Sequence, residues 1–316
     1  MAVILFEASS ANRTGTARHA LVAKATSSTA VLLASSAGFV VAFVAAYLLF
    51  VRTGGGRLAE NGVVHSAQSV IGSTVDWAAP LGAVDMVGLL AVVAVGVLLI
   101  ALVRRRFSLG VSALVVLAAP LMAAQLLKLY VLERPGGRDG LAVAGHNSFP
   151  SGHVSAATAI LLAVVVVLPR RFRTPVLLLG APVVAWVAAS TIALGWHRLS
   201  DTLGGCLLVA ALACAGAALM ARRGSGAKRI PAVPVSVGLF GPVAVVLGDY
   251  AVLSTATSAS AQYVAALVLA AVSAAAVVLL VAIALHGVSF ERRLTGSARE
   301  QALIASSSRD RAAGGW

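Results

Sequence analysis

Residues 149–168, FPSGHVSAATAILLAVVVVL, decide how this chain is read. A proline-serine-glycine-histidine start runs directly into an unbroken apolar stretch. A second junction of the same kind, Gly195-Trp196-His197-Arg198-Leu199-Ser200-Asp201, stands between two further apolar stretches. Serine, glycine, two histidines and a carboxylate at the edges of such stretches point to a reaction centre at a membrane surface.

Outward from these junctions, apolar runs recur along the whole chain. Hydrophobic residues make up 59% and charged residues 11%, where a soluble chain carries about one quarter charged residues. Runs at roughly 30–51, 86–103, 108–128, 153–169, 174–194, 200–220, 232–254 and 263–286 are candidate spans. Most reach the roughly 17–25 residues a helix needs to cross about 30 Å of hydrocarbon. The 153–169 run is near the lower limit, and 232–254 is interrupted by Pro234, Gly238, Gly241, Pro242 and Asp249. The run beginning near residue 30 lacks a polar-to-small cleavage region before Arg52 and reads as an uncleaved helix. Cys206 and Cys214, inside one apolar run, read as small buried residues with neither metal spacing nor a disulfide framework.

The formal charge of +13 would suggest nucleic acid in a soluble protein. Here the basic residues fall in knots between apolar runs, as topology anchors do. A cytoplasmic N-terminus puts Arg13, Arg18, Lys24, Arg104-Arg105-Arg106, Arg170, Arg171, Arg173, Arg222, Arg223, Lys228, Arg229 and the arginines of the tail inside. Only Arg52, Arg57, Lys128, Arg134, Arg138 and Arg198 remain outside. The expected topology is a multi-pass cell-membrane protein with both termini cytoplasmic. Eight spans then give external segments that include 52–85, 129–152 and the short 195–198. The first carries Ile71, Val75, Trp77 and Leu81, which suit a short interfacial helix. This topology brings His153, at the start of the fourth span, to the same outer level as His197 and Asp201.

The chemistry of these pieces is mutually consistent. At i and i+4 on a helix, His197 and Asp201 share a face, so the carboxylate can fix the tautomer and leave the other nitrogen free as nucleophile or base. Ser151 can cap the fourth helix, Gly152 lets an anion approach its first amides, and His153 can donate a proton to a leaving oxygen. Lys128 and Arg134 supply positive charge beside both histidine segments. Each piece also has an ordinary structural reading: a hydrogen-bonded pair, a capped helix start, and cations snorkelling to headgroups. His146 in the same external loop could touch a headgroup or simply be solvated. Asp249 could pair across helices or line a cavity. Trp77, Trp196 and Tyr130 suit aromatic anchoring at the outer headgroups.

These residues resemble the membrane branch of the type 2 phosphatidic acid phosphatase (PAP2) family. Its pattern is lysine, six residues, Arg-Pro; then Pro-Ser-Gly-His; then Ser-Arg, five residues, His, three residues, Asp. The second piece is complete at Pro150-Ser151-Gly152-His153, and the third ends correctly at His197 and Asp201. The resemblance covers roughly residues 86–220 and a preceding membrane helix. It implies that His197 is the nucleophile of a phosphohistidine, Asp201 its orienting acid, and His153 the general acid. Lys128, Arg134, Ser151 and the Gly152 amide would then be phosphate ligands, with no metal and no cofactor. Implied substrates are lipid phosphates or polyprenyl diphosphates. Two departures stand out: five residues, not six, separate Lys128 from Arg134, and Ser190-Thr191 stands where the family has Ser-Arg. Losing one strong transition-state donor costs on the order of 10²–10³ in rate; Arg198 or Arg138 could substitute from another direction.

The expected fold is an all-α integral membrane protein, a PAP2-like six-helix core plus two additional C-terminal transmembrane helices. Residues 1–29 would be a cytoplasmic segment, 30–220 the catalytic domain, 221–286 the additional two-helix region and 287–316 a cytoplasmic tail. The expected function is metal-independent hydrolysis of a lipid phosphate at the extracytoplasmic face. Its partners would be membrane lipids and the phosphorylated lipid substrate, with no nucleic acid; the sequence leaves the oligomeric state open. A catalytically weak or inactive relative that binds lipid phosphate is the alternative. A transporter lacks a midplane polar cluster in this sequence, and a haloperoxidase-like activity suits a soluble enzyme better.

Overall fold

The computed structural model describes residues 29–70, 75–135, 147–222 and 235–285. Every regular element among them is helical: α1 (Thr29–Arg52), α2 (Gly54–Val70), α3 (Ala79–Gly82), α4 (Met86–Val103), α5 (Phe107–Tyr130), α6 (Gly152–Val167), α7 (Arg170–Ala193), α8 (Leu199–Arg222), α9 (Val235–Thr255) and α10 (Ala259–Leu285). Seven are long and apolar enough to cross a membrane, namely α1, α4, α5 and α7 to α10. The sixteen-residue α6 is the shorter apolar helix. The chain is therefore an all-α, multi-pass membrane protein.

The helices show how they meet lipid. Val87, Val92, Val95, Leu99 and Val103 of α4 are exposed, and a helix apolar all round suits a hydrocarbon environment. The centre of the bundle is α8, buried along most of its length and packed on α6, α10 and α5. Its neighbours come close because the contact residues are small. Ser36 of α1 donates to the Ala211 carbonyl of α8 at 2.9 Å. Thr158 on α6 returns its hydroxyl to the Val154 carbonyl of its own helix, which satisfies it without water.

In sequence the last two spans follow the motif-bearing ones as an appendage. In space α10 is part of the body, lying along α7 and also against α8 and α2. The described helices thus do not sort by packing into six plus two. Small residues on α10 (Ala266, Ala270, Ser273, Ala274) are buried at helical spacing, and they let it lie against several neighbours at once.

Two ends of the bundle differ in charge. The α4–α5 turn carries Arg104, Arg105 and Arg106, and the Arg104 guanidinium donates to the Val167 carbonyl at the end of α6. The next turn begins α7 with Arg170, Arg171 and Arg173, and Arg173 donates to the Leu168 carbonyl. Both described basic knots therefore lie at one end. Lys128, His153 and Asp201 lie at the other, separated from it by the full length of α5, about 36 Å for a helix of 24 residues.

The α1–α9 crossing gives a stability prediction. A Cβ on Gly38 would fall on the backbone carbonyls of Gly238 and Leu239, 2.6 Å from the latter oxygen. Backbone atoms cannot step aside as a side chain can. Gly38→Ala is expected to cost about 1–3 kcal/mol, seen as a lower thermal midpoint in detergent. Gly96→Ala, where a Cβ would meet nothing, should leave the midpoint unchanged or raise it slightly.

Candidate active site

The site is built on two helix starts. Ser151 is the N-cap of α6, and its hydroxyl oxygen accepts from the Val154 amide at 3.3 Å. A Cβ on Gly152 would meet no atom within 4 Å, so there is free space beside the start of α6, and the positive end of a helix favours an anion. The adjoining stretch is held rigidly. Phe149 is buried against Phe43 and Tyr47 of α1, and the Ser151 amide donates to the Asp201 carbonyl at 2.8 Å. Gly204 and Gly205 let α8 come this near: side chains there would strike Phe149 and the Ser151 carbonyl.

The second helix start is α8, preceded by a tight reversal from α7. Gly195 has φ 68°. The Trp196 amide donates to Thr191 O at 2.9 Å and the Gly195 amide to Ile192 O at 2.9 Å, the paired bonds of a glycine-terminated helix. His197 also donates its amide to Thr191 O, at 3.1 Å. Arg198 is the N-cap of α8 in the sense that its carbonyl accepts the Asp201 and Thr202 amides. Asp201, in the third helical position, returns the favour by accepting from the Arg198 amide at 3.0 Å, one half of a capping box.

This corrects one expectation. His197 and Asp201 do not share a helix face, because His197 sits in the link ahead of α8. They still meet: His197 Nδ1 lies 3.4 Å from Asp201 Oδ2, within ion-pair reach, although Nδ1 makes no aligned hydrogen bond. The His197 side chain is 11% exposed, whereas that of Asp201 is fully buried. The His153 and His197 rings stand edge to face with centroids 5.9 Å apart, and Trp196 packs 5.2 Å from His153. Two motifs distant in sequence thus share one small site.

Lys128, at the end of α5, is half-buried and interacts electrostatically with both His153 and Asp201. Arg134 is more tightly engaged. Its Nη2 donates to Asp201 Oδ1 at 2.8 Å and to Ser200 Oγ at 3.2 Å, and its Nη1 to Glu60 Oε2 at 3.1 Å. Burial works against the Arg134 charge, but Asp201 and Glu60 outweigh it and hold the guanidinium above its ordinary range. Arg198 contributes its backbone to the site, and its side chain is buried. Thr191, at the position of the family arginine, is fully buried and bonds its hydroxyl to Ala188 O. Its carbonyl is what holds the His197 turn. Arg138 and His146 lie outside the described residues.

Several participants carried no sequence signal. Glu60 of α2 is fully buried and also accepts from the Ser200 amide at 2.8 Å. Burial pushes the Glu60 carboxyl above the usual carboxylate range; Arg134 pulls the other way, and the Asp201 charge adds to the push. Ser148 donates to Asp201 Oδ2 at 2.6 Å. Tyr47 Oη donates to Glu133 O at 2.7 Å and accepts from the Glu133 amide at 3.2 Å, fixing the link that carries Arg134. Away from the site, Asp249 is buried between α9 and α10, where the Ser273 hydroxyl reaches its two oxygens at 2.9 and 2.8 Å. It pairs across helices.

Two histidines, a buried carboxylate, a capped helix start and two cations thus lie together at one end of the bundle. Residues 110–225 match the family model of the PAP2 superfamily, a span running from α5 through α8 that holds every candidate residue named in the two histidine motifs as well as Lys128 and Arg134. No curated protein and no solved structure matches the chain.

Proposed function

We propose that the protein hydrolyses a lipid phosphate or polyprenyl (pyro)phosphate without a metal ion, through a phosphohistidine on His197. The observation that carries this reading is the approach of the His153 and His197 rings to 5.9 Å beside the open start of α6. The phosphoryl group lies over the Gly152 and His153 amides with Lys128 beside it. His197 Nε2 attacks phosphorus, the bond from phosphorus to the lipid oxygen breaks, and His153 gives its proton to that oxygen. Water then attacks the phosphohistidine, passes a proton to His153 and releases inorganic phosphate. Asp201 steadies the imidazolium. The catalytic unit is assigned to 30–220, with 221–286 as an additional membrane region. The basic knots at the far end of the bundle support a reading in which that end is cytoplasmic and the site lies outside.

A second reading has its own support. The family arginine is replaced by buried Thr191, and both terminal nitrogens of Arg134 are engaged by carboxylates. A protein so arranged could bind lipid phosphate and turn it over weakly or not at all.

Phosphate release from a panel of lipid monophosphates and polyprenyl diphosphates, in detergent with a chelator present, separates the two. Hydrolysis is expected to persist with the chelator, and orthovanadate should compete for it. Saturable lipid binding without release across the panel would favour the second reading.

A further inference from the structure

We propose that Glu60 is a positioning residue for the phosphoryl-transfer centre, setting Arg134 and the start of α8 in one register; the inference rests on the reading above. Glu60 comes from α2, outside the matched region. Its two oxygens have different work. Oε2 takes Arg134 Nη1 at 3.1 Å, and Oε1 takes the Ser200 amide at 2.8 Å. Both face N–H donors, which is the arrangement of a carboxylate.

The need for it follows from the local sequence. A helix N-terminus wants a side-chain oxygen on the amide of its second or third residue, normally supplied by Ser, Thr, Asp or Asn at the cap. The cap position of α8 is Arg198, which has no acceptor. Asp201 reaches back to the Arg198 amide but leaves the Ser200 amide to be met from elsewhere. Glu60 meets it across 140 residues of sequence. Its charge also suits the positive end of the helix.

The second task concerns Arg134. Arg134 lies past the end of α5, with five residues between it and Lys128 where the family has six, so no helix sets its side chain. Two carboxylates from different helices, Glu60 and Asp201, grip it instead. Arg134 thereby pins Asp201 Oδ1, and Asp201 presents Oδ2 toward His197. Arg57, one turn before Glu60, also donates to the Pro135 carbonyl at 3.4 Å. α2 thus clamps the segment that carries Arg134.

The test compares wild type with Glu60→Gln, Glu60→Asp, Arg134→Gln and the Glu60→Gln/Arg134→Gln double variant. Each is read by phosphate release, thermal midpoint and orthovanadate affinity. Glu60→Gln is expected to lower kcat per folded molecule about 10–100-fold, with KM within about threefold. In the Arg134→Gln background the same change should add little, since the two act as one unit. Glu60→Asp, which keeps the charge with a shorter reach, should fall between. If wild type hydrolyses lipid and every folded Glu60 variant keeps its kcat, or the effects simply add, the inference fails while the hydrolase reading stands. If wild type binds vanadate without turnover, the hydrolase reading fails. A non-additive loss of vanadate affinity in Glu60→Gln then supports the positioning role, and unchanged affinity overturns it. Neither turnover nor vanadate binding by wild type overturns both.

Discussion

His197→Ala is expected to reduce phosphate release by about 10⁴-fold or more, the scale seen when the nucleophile of a concerted catalytic group is removed. The fold should survive the change. The backbone of His197 is held by the Thr191 carbonyl and does not depend on the imidazole. The ring makes no aligned side-chain hydrogen bond that its loss would break, and it keeps some exposure beside His153. A thermal midpoint within a few degrees of wild type, together with lost release, would therefore assign the effect to chemistry. Trapping of acid-labile phosphate on wild type but not on the variant is the direct measurement. Full release by the alanine variant would sink the proposed nucleophile.

The helical framework was legible in the sequence because burial in lipid imposes a strong and simple pattern. The eight expected runs coincide closely with α1 and α4 to α10, including the short α6 beginning at the Ser151 cap. The motif residues His153, His197 and Asp201 were legible because their spacing and residue types are unusual at apolar edges. What was hidden is tertiary. Glu60 lies 74 residues from Arg134 and 140 from Ser200, and a lone glutamate in a segment read as external carries no local sign of burial. Ser148 and Tyr47 were missed for the same reason: a hydroxyl acquires its meaning from the partner the fold provides. The position of His197 ahead of α8 follows from Gly195, whose left-handed conformation ends α7. The Leu194-Gly195 pair contained that signal, but the i, i+4 spacing suggested a shared helix. The position of α10 within the body is likewise not a matter of sequence order, since small residues at helical spacing fit either a peripheral or a central helix.

Asp201→Asn should be nearly as damaging as loss of His197, and for a different reason. The carboxylate is surrounded by donors on both sides. Arg134 Nη2 lies at 2.8 Å from Oδ1; Ser148 Oγ at 2.6 Å, the Arg198 amide at 3.0 Å and His197 Nδ1 at 3.4 Å all approach Oδ2. An asparagine offers one acceptor and one N–H₂ group, so either orientation sets a donor against a donor. If the amide nitrogen turns toward Arg134, the guanidinium keeps Glu60 but loses its second carboxylate. If it turns toward His197, the tautomer with Nδ1 protonated is no longer favoured, and the lone pair needed on Nε2 is lost. The expected fall in kcat is about 10³–10⁴-fold. Breaking a buried charge pair by removing one partner also costs about 3–5 kcal/mol in stability, so the thermal midpoint should drop clearly, unlike that of His197→Ala. Measuring release and midpoint for both variants therefore separates the residue that reacts from the residue that holds the site together. An asparagine variant within tenfold of wild-type kcat would show that the Asp201 charge does not serve His197.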